Sequence, residues 1–307
     1  MSISAEMVRQ LREETGAGMM DCKSALVEAG GDAQVARELL RKKGLAAAAR
    51  KAGRAATEGA VGSHIVDGGK LGVLVEVNCE TDFVAKTEDF QSLVRDVAEQ
   101  VAAGAPADVA ALADQSLATR PGKTVGQLVQ EKIAVIKENM VVRRFARFEL
   151  PADGSGAVTS YIHPGAKVGV LVEVTCETAA VARTQEFQAL VKDVAMHVAA
   201  ASPAAAAYVS KDQVPAEVLE KEKEIYRAQA VAQGKPPNVV DRIAEGKLKE
   251  FYQSFCLLEQ PFVKEPKLTV GQLVQQKGAA VKESVVVRRF ARFRVGEASS
   301  DTEPAAE

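Results

Sequence analysis

The sequence predicts an α+β protein: a short N-terminal helical domain, then two repeated α+β units built on antiparallel strands, the second holding an inserted helical hairpin. Three observations carry this. Helix caps, apolar spacing and stops recur three times within the first 45 or so residues, a long segment returns 97 residues further on, and the second copy contains an extra stretch that the first lacks.

In the N-terminal part, Ser4 is placed to cap a helix carrying Val8 and Leu11 that stops at Gly16. A second helix is expected from Met19 to Ala29, with Ala25 and Leu26 inward and Gly30 supplying a left-handed C-cap. A third starts at Asp32, presents Val35, Ala36, Leu39 and Leu40, and is expected to stop at Gly44. From Arg41 to Arg54 runs a basic, acid-free tether holding Arg41, Lys42, Lys43, Arg50, Lys51 and Arg54. It reads as a solvated, partly helical linker or as a contact for an acidic protein or RNA surface. The first domain is placed at 1–54.

After the tether, Glu58 to Ala103 matches Ser155 to Ala200 without a gap, with about 29 of 46 positions identical, too many for chance. GVLVEVNCETDFVAKTEDFQSLV from Gly72 returns as GVLVEVTCETAAVARTQEFQALV from Gly169. TVGQLVQEKIAVIKENMVVRRFARF from Thr124 returns from Thr269 as TVGQLVQQKGAAVKESVVVRRFARF, and the wider spacing implies an insertion of about 48 residues between Ala200 and Thr269. Within a copy, residues 60–66 and 71–77 alternate as strands around the turn Asp67-Gly68-Gly69-Lys70. Phe90, Leu93, Val94, Val97 and Val101 share a helical face, a shorter helix spans 125–137, and a Val- and Phe-rich strand spans 140–148. The units are placed at 55–150 and 151–295. The insertion, about 211–262, reads as a hairpin: Val218, Leu219 and Ile225 on one helix, a Gly234-Lys235-Pro236-Pro237-Asn238 turn, then Val239, Val240, Ile243, Phe251 and Phe255 on the returning one. The acidic tail, 296–307, is expected to be disordered.

Composition narrows the function. At 307 residues, 47% apolar and 26% charged, the chain supports two or three ordinary cores without metal or disulfide. A net charge of −2 argues against wholesale phosphate-backbone binding, DNA included. The first residues carry no basic-then-apolar leader and no apolar run reaches membrane length, so a cytoplasmic protein is expected. Cys22, Cys79, Cys176 and Cys256 stand far apart with no Cys-x-x-Cys and read as buried, reduced thiols. His64, His163 and His197 are the only histidines, and no HExxH, GxSxG or GxxxxGK[ST] pattern occurs. Thr15-Gly16-Ala17-Gly18 lacks the lysine and the preceding strand of a phosphate loop and reads as a hinge. Neither enzyme chemistry nor a cofactor is expected.

The repeat is an internal control. Thr81-Asp82-Phe83-Val84 becomes Thr178-Ala179-Ala180-Val181 while the preceding Cys-Glu-Thr is retained. Either Asp82 caps a turn and Phe83 fills a core gap, or the first copy holds a role that the second does not. His163 against Val66 is a second such difference.

LREETGAGMMDCKSAL from Leu11, EVNCETDFVAK from Glu76, SYIHPGAKVGVLV from Ser160 and QPFVKEP from Gln260 together resemble the elongation factor Ts family of bacteria and organelles. The resemblance implies a ubiquitin-associated (UBA)-like N-terminal domain, a two-part core and a non-enzymatic nucleotide exchange factor. Its partner would be elongation factor Tu, bound to GDP or free of nucleotide. By motif position it implies that Leu11, Arg12, Met19, Met20 and Lys23 touch that partner, that Thr81, Asp82, Phe83 and Val84 displace its magnesium ion, and that Ile136 and His163 make further contacts. Lys137 stands where some members have glycine. The hairpin is a candidate homodimer contact. The rival class is an RNA-binding or ribosome-associated protein using the basic tether.

Overall fold

The computed structural model describes residues 3–297, apart from the side chains of Leu45 and Ala47, and is a mixed helix and antiparallel-sheet protein. Residues 298–307, most of the expected tail, lie outside the described residues.

Three helices open the chain: α1 (Ala5–Thr15), α2 (Met19–Glu28) and α3 (Ala33–Lys51). The Ser4 hydroxyl accepts from Met7 N–H, and Gly16 ends α1 at φ 66°, where a side chain would be strained. Val8, Leu11, Cys22, Ala25, Leu26 and Ala36 form a small core between them. The expected stop at Gly44 is corrected: α3 runs through it to Lys51. Gly44 is there for close packing. A Cβ on it would stand 2.8 Å from the Ala134 Cβ of α7 (Val125–Ile136), so glycine lets the two helices touch. Residues 41–51 of the basic tether are thus part of a helix docked on the core.

Strands β1 (Glu58–Val66), β2 (Leu71–Cys79) and β3 (Met140–Glu149) form one antiparallel sheet in the order β1-β2-β3. The short α4 (Asp82–Ala85), the long α5 (Glu88–Gly104), α6 (Val109–Asp114) and α7 lie between β2 and β3 in the chain. The second sheet, β4 (Ser155–Ile162), β5 (Val168–Cys176) and β8 (Val286–Arg294), has the same order and an equivalent bulge, after Glu173 where the first has it after Glu76. Between β5 and β8 come α8 (Ala179–Ala182), α9 (Gln185–Ala200), the hairpin α10 (Ala216–Ala232) and α11 (Pro237–Phe255), the ribbon β6 (Pro261–Phe262) with β7 (Glu265–Thr269), and α12 (Val270–Val281). The short elements α4, α6, α8 and the β6–β7 ribbon are additions to the expected set.

Both faces of each central strand are covered, and the period-two alternation divides the labour. In β2, Val73, Val75 and Val77 point to the helices with Phe90, Leu93 and Val97, whereas Leu74 points to the other sheet. In β5, Val170, Val172 and Val174 do the first job and Leu171 the second. The sheets meet through Val61, Leu74, Phe148, Leu150, Val158, Leu171 and Phe293. Gly72 and Gly169 allow this approach, since a Cβ on either would fall within 2.5 Å of a valine methyl on the opposite sheet. Ser160 donates its hydroxyl to that of Ser63 at 2.9 Å, a pair 97 residues apart. Val61 N–H donates to Ala166 O and Val158 N–H to Gly69 O, both at 2.7 Å.

The hairpin joins the second unit at a buried clasp. His197 Nε2–H donates to Gln260 Oε1 (2.9 Å) while Nδ1 accepts from Val263 N–H (3.1 Å), which fixes the neutral ring with its proton on Nε2. Gln260 Nε2 in turn donates to Ala204 O and Ser254 O. Burial depresses the His197 pKa from its ordinary 6.5, with the Gln260 bond only partly opposing it. Because the folded value lies below the unfolded one, this stabilisation is complete above about pH 6.5 and is lost as pH falls through the folded value. Gln100 holds the matching place in the first unit, bonded to Gln115 and Ala118. His197→Gln should therefore flatten the fall in melting temperature between pH 7.5 and 5 relative to the parent; parallel curves would rule out His197 as the source.

Candidate functional site

The turn after β2 is held by a carboxylate clamp. Glu80 N–H and Thr81 N–H donate to Glu138 Oε2 at 3.1 and 3.0 Å, and the Thr81 hydroxyl donates to Glu138 Oε1 at 2.6 Å. Glu80 returns the favour by accepting from Asn139 N–H at 2.6 Å. The Thr81 Oγ1 caps α4 by accepting from Val84 N–H at 3.4 Å, so threonine, not Asp82, is the cap. The second unit repeats the clamp with Glu283, Glu177 and Thr178. One scaffold therefore presents two different tips.

The first tip is Asp82-Phe83 and the second Ala179-Ala180. Phe83 is 85% exposed, so it fills no core gap, and the alanines show that the backbone needs no aromatic there. Val84 is half-buried against the first core. Asp82 is bonded to Lys86 (2.5 Å) and, across the sheet junction, to Lys167 (3.0 Å). Those two bonds, Lys86 first, hold its carboxyl below the usual carboxylate range. Lys167 also pairs with Glu58 at 2.5 Å and donates to Gly59 O at 3.2 Å.

The expected contact residues lie on elements to either side of this clamp. The turn between β4 and β5 carries both Lys167 and the exposed His163, whose backbone closes the turn through His163 N–H to Val168 O. On the other side of the clamp, Glu138 follows directly on Lys137, the left-handed cap of α7 at φ 67°. That backbone accounts for glycine being suited to the position, and the Lys137 ammonium stands 3.3 Å from Asp21 of α2. Ile136 is half-buried beside it, and Val135 lies where a Cβ on Gly16 would meet it at 3.7 Å. Met19 and Met20, 55% and 69% exposed, begin α2, with Arg12 and Lys23 also exposed. Leu11 differs: at 2% exposure it lies in the N-terminal core rather than on the surface.

The residues missed from sequence are Glu138, Glu80 and Lys167. The signal was available, since both copies keep a Glu-Thr pair and the Glu at 138 and 283, while the acids Glu58 and Asp82 give way to Ser155 and Ala179. In the tether, Lys43 pairs with Glu28, and Arg54 with Glu80 at 3.5 Å, so part of its charge is engaged within the molecule.

Cys22, Cys79 and Cys256 are buried and free, and Cys176, expected buried, is half-buried. Burial, then the nearby Glu138 carboxylate, push the Cys79 thiol up to about 12. Among the described residues no cluster of His, Cys, Asp or Glu is placed to hold a metal ion, and no helix is long and apolar enough to cross a membrane.

The chain is similar to known proteins over nearly its whole length. A family model described as Elongation factor TS matches residues 80–297. The protein named Elongation factor Ts of Trichlorobacter lovleyi is 50% identical over 97% of this chain and 94% of its own length. Proteins of that name from Symbiobacterium thermophilum (47% identical, covering 96% of this chain and 92% of the relative) and Nitratidesulfovibrio vulgaris (44%, covering 99% and 100%) are similar throughout.

An exposed phenylalanine whose counterpart is alanine should be removable without loss of fold. Phe83→Ala is expected to melt within a degree or two of the parent, whereas a core phenylalanine lost to alanine costs about 3–5 kcal/mol. A drop of that size by circular dichroism would return Phe83 to the packing residues.

Proposed function

The chain belongs to the elongation factor Ts family, and from that premise we propose that it binds elongation factor Tu, with GDP or without nucleotide, and promotes exchange of GDP for GTP in the cytoplasm. The observation that carries the proposal is Phe83, an aromatic held out into solvent on a clamped turn whose twin carries alanine.

No bond is made or broken in such a step. An exchange factor needs only higher affinity for the nucleotide-free partner, and by linkage whatever factor it takes from GDP affinity GDP takes from its own. The tip Thr81-Asp82-Phe83-Val84 would enter the partner beside its magnesium site, with Phe83 as the wedge and the Glu138 clamp resisting its recoil. Loss of the magnesium contacts loosens the phosphates, GDP leaves, and GTP rebinds and releases the factor. Met19, Met20, Arg12 and Lys23 on α1 and α2, with Ile136 and His163, would fix the approach, Leu11 supporting them from beneath.

The organisation that goes with this reading is a UBA-like unit over 1–54 and two copies of one α+β unit, 55–150 and 151–295, related by a pseudo-twofold axis. The Ser63–Ser160 pair supports that axis because it joins residues that correspond under the 97-residue shift, and the Val61–Ala166 and Val158–Gly69 bonds support it because that shift exchanges one for the other. The hairpin, about 211–262, exposes Ile225 and Val231 and is the surface on which a second copy would dock.

Stopped-flow release of fluorescent GDP from elongation factor Tu tests the assignment. The parent should accelerate release, and Phe83→Ala should lose about thirtyfold, the equivalent of about 2 kcal/mol at an interface anchor. Parental acceleration by the Phe83→Ala protein would put the site elsewhere.

A further inference from the structure

Each unit ends its first hairpin in a lysine, Lys70 in the first and Lys167 in the second, and each hairpin turn is bonded to the other unit's first strand. Ala166 O accepts from Val61 N–H of β1 at 2.7 Å, and Gly69 O accepts from Val158 N–H of β4 at the same distance. Lys167 is thereby delivered to the tip of the first unit, and the same correspondence directs Lys70 toward the second. What each faces there differs. Lys167 meets Glu58, Asp82 and the Gly59 carbonyl, whereas the positions facing Lys70 by the same correspondence hold Ser155 and Ala179. The acids are present only where the aromatic tip is present.

We propose that Lys167 is a positioning residue for exchange, the second unit's ammonium holding Asp82 so that Phe83 is presented in a fixed direction. The inference rests on the reading of residues 81–84 as the exchange tip. It gives the alanine-tipped unit a part in the activity: it supplies the brace that the other unit's tip leans on.

The geometry favours positioning over bulk stability. The Lys167 and Asp82 side chains are 37% and 43% exposed, where an ion pair contributes little to the fold. Yet the lysine is constrained at both ends. Its backbone is fixed because Ala166, bonded to β1, precedes it and its own carbonyl accepts from Val295 N–H, and its ammonium is shared among two carboxylates and a carbonyl. Burial opposes its charge, but the bonds to Glu58 and Asp82 outweigh burial and raise its pKa. Asp82 sits one residue before Phe83, with its other oxygen on Lys86, so both carboxylate oxygens are held and α4 cannot swivel without breaking a bond.

The test compares the full chain with Lys167→Met, Lys167→Arg, Asp82→Ala and the Lys167→Met/Asp82→Ala double variant. Release of fluorescent GDP from elongation factor Tu is titrated to separate maximal rate from half-saturating concentration, and each variant is melted. Lys167→Met should melt like the parent and lower the maximal rate about tenfold, within the range for residues in direct contact. Lys167→Arg should restore most of that rate, and the double variant should be no slower than the slower single one. Parental rates for Lys167→Met overturn the proposal. So do additive losses in the double variant, or a slow Lys167→Met whose melting falls in step and which arginine does not rescue, since these describe a general brace. Phe83→Ala run alongside separates the failures: if it is slow while Lys167→Met is parental, the brace is wrong and the tip stands, and if it too is parental, the tip itself is misplaced.

Discussion

The close approach of the two sheets is the constraint on which the rest depends. A sheet with helices on one face must still cover the other, and here each unit covers the other's. Glycines at 72 and 169 remove the side chains that would hold the sheets apart. Polar groups at the seam are satisfied in crossed fashion. Arg144 pairs with the buried Glu76 of its own sheet at 2.7 Å and lies 4.5 Å from the ring centre of Phe293 in the other, while Arg289 pairs with Glu173 and covers Phe148. The seam itself is crossed by these two guanidinium–ring contacts, by Arg144 Nη2–H donating to Arg294 O and by Gly296 N–H donating to Glu76 Oε1, both at 3.3 Å, and sliding one sheet on the other would break them. The seam therefore has one register, and that register carries the β4–β5 turn to the tip of the first unit.

Given this seam, the likeness of the two units is an economy and their differences are informative. Both keep the Glu-Thr clamp, the threonine caps, the bulge and the capping boxes at Thr124 and Thr269. They part at the tip, at the acids facing the crossed lysines, and at the hairpin held by His197 and Gln260. A change confined to exposed tips leaves the packing alone, which is why alanine and phenylalanine can occupy equivalent places on one backbone.

Much of this was legible in the sequence because it is local. Caps at Ser4 and Asp32, stops at Gly16 and Gly30, alternation in β1 and β2 and the one-faced pattern of α5 each follow from a few adjacent residues. What was not legible depends on pairs distant in the chain. Gly44 looks like a stop until Ala134 stands against it, and Leu11 looks like a contact residue until α2 and α3 close over it. Glu138 is an unremarkable acid after a helix until the fold sets it under Thr81, 57 residues earlier. Short elements such as α4 and α6 hold too few residues for a period to declare itself. The tip at Asp82-Phe83 was singled out by the one sequence signal that is not local, the comparison of the chain with itself.

A factor that acts by binding alone must bring its wedge to the partner already shaped, because ordering a loop at the moment of contact subtracts from the affinity it can direct at the nucleotide-free state. Fixing one residue's backbone costs about 1–2 kcal/mol, so a free four-residue tip would forfeit more than a single aromatic anchor returns. The clamp removes that loss in advance. Three hydrogen bonds donated to the one Glu138 carboxylate fix Glu80 and Thr81, the threonine cap fixes Val84, and the Lys86 and Lys167 bonds hold Asp82 between them. Phe83 is then the one side chain of the tip left largely in solvent. In the proposed complex that side chain is the one left to be buried, and the difference between a braced aromatic tip and an alanine turn is the difference between the two sheet-bearing units of this molecule.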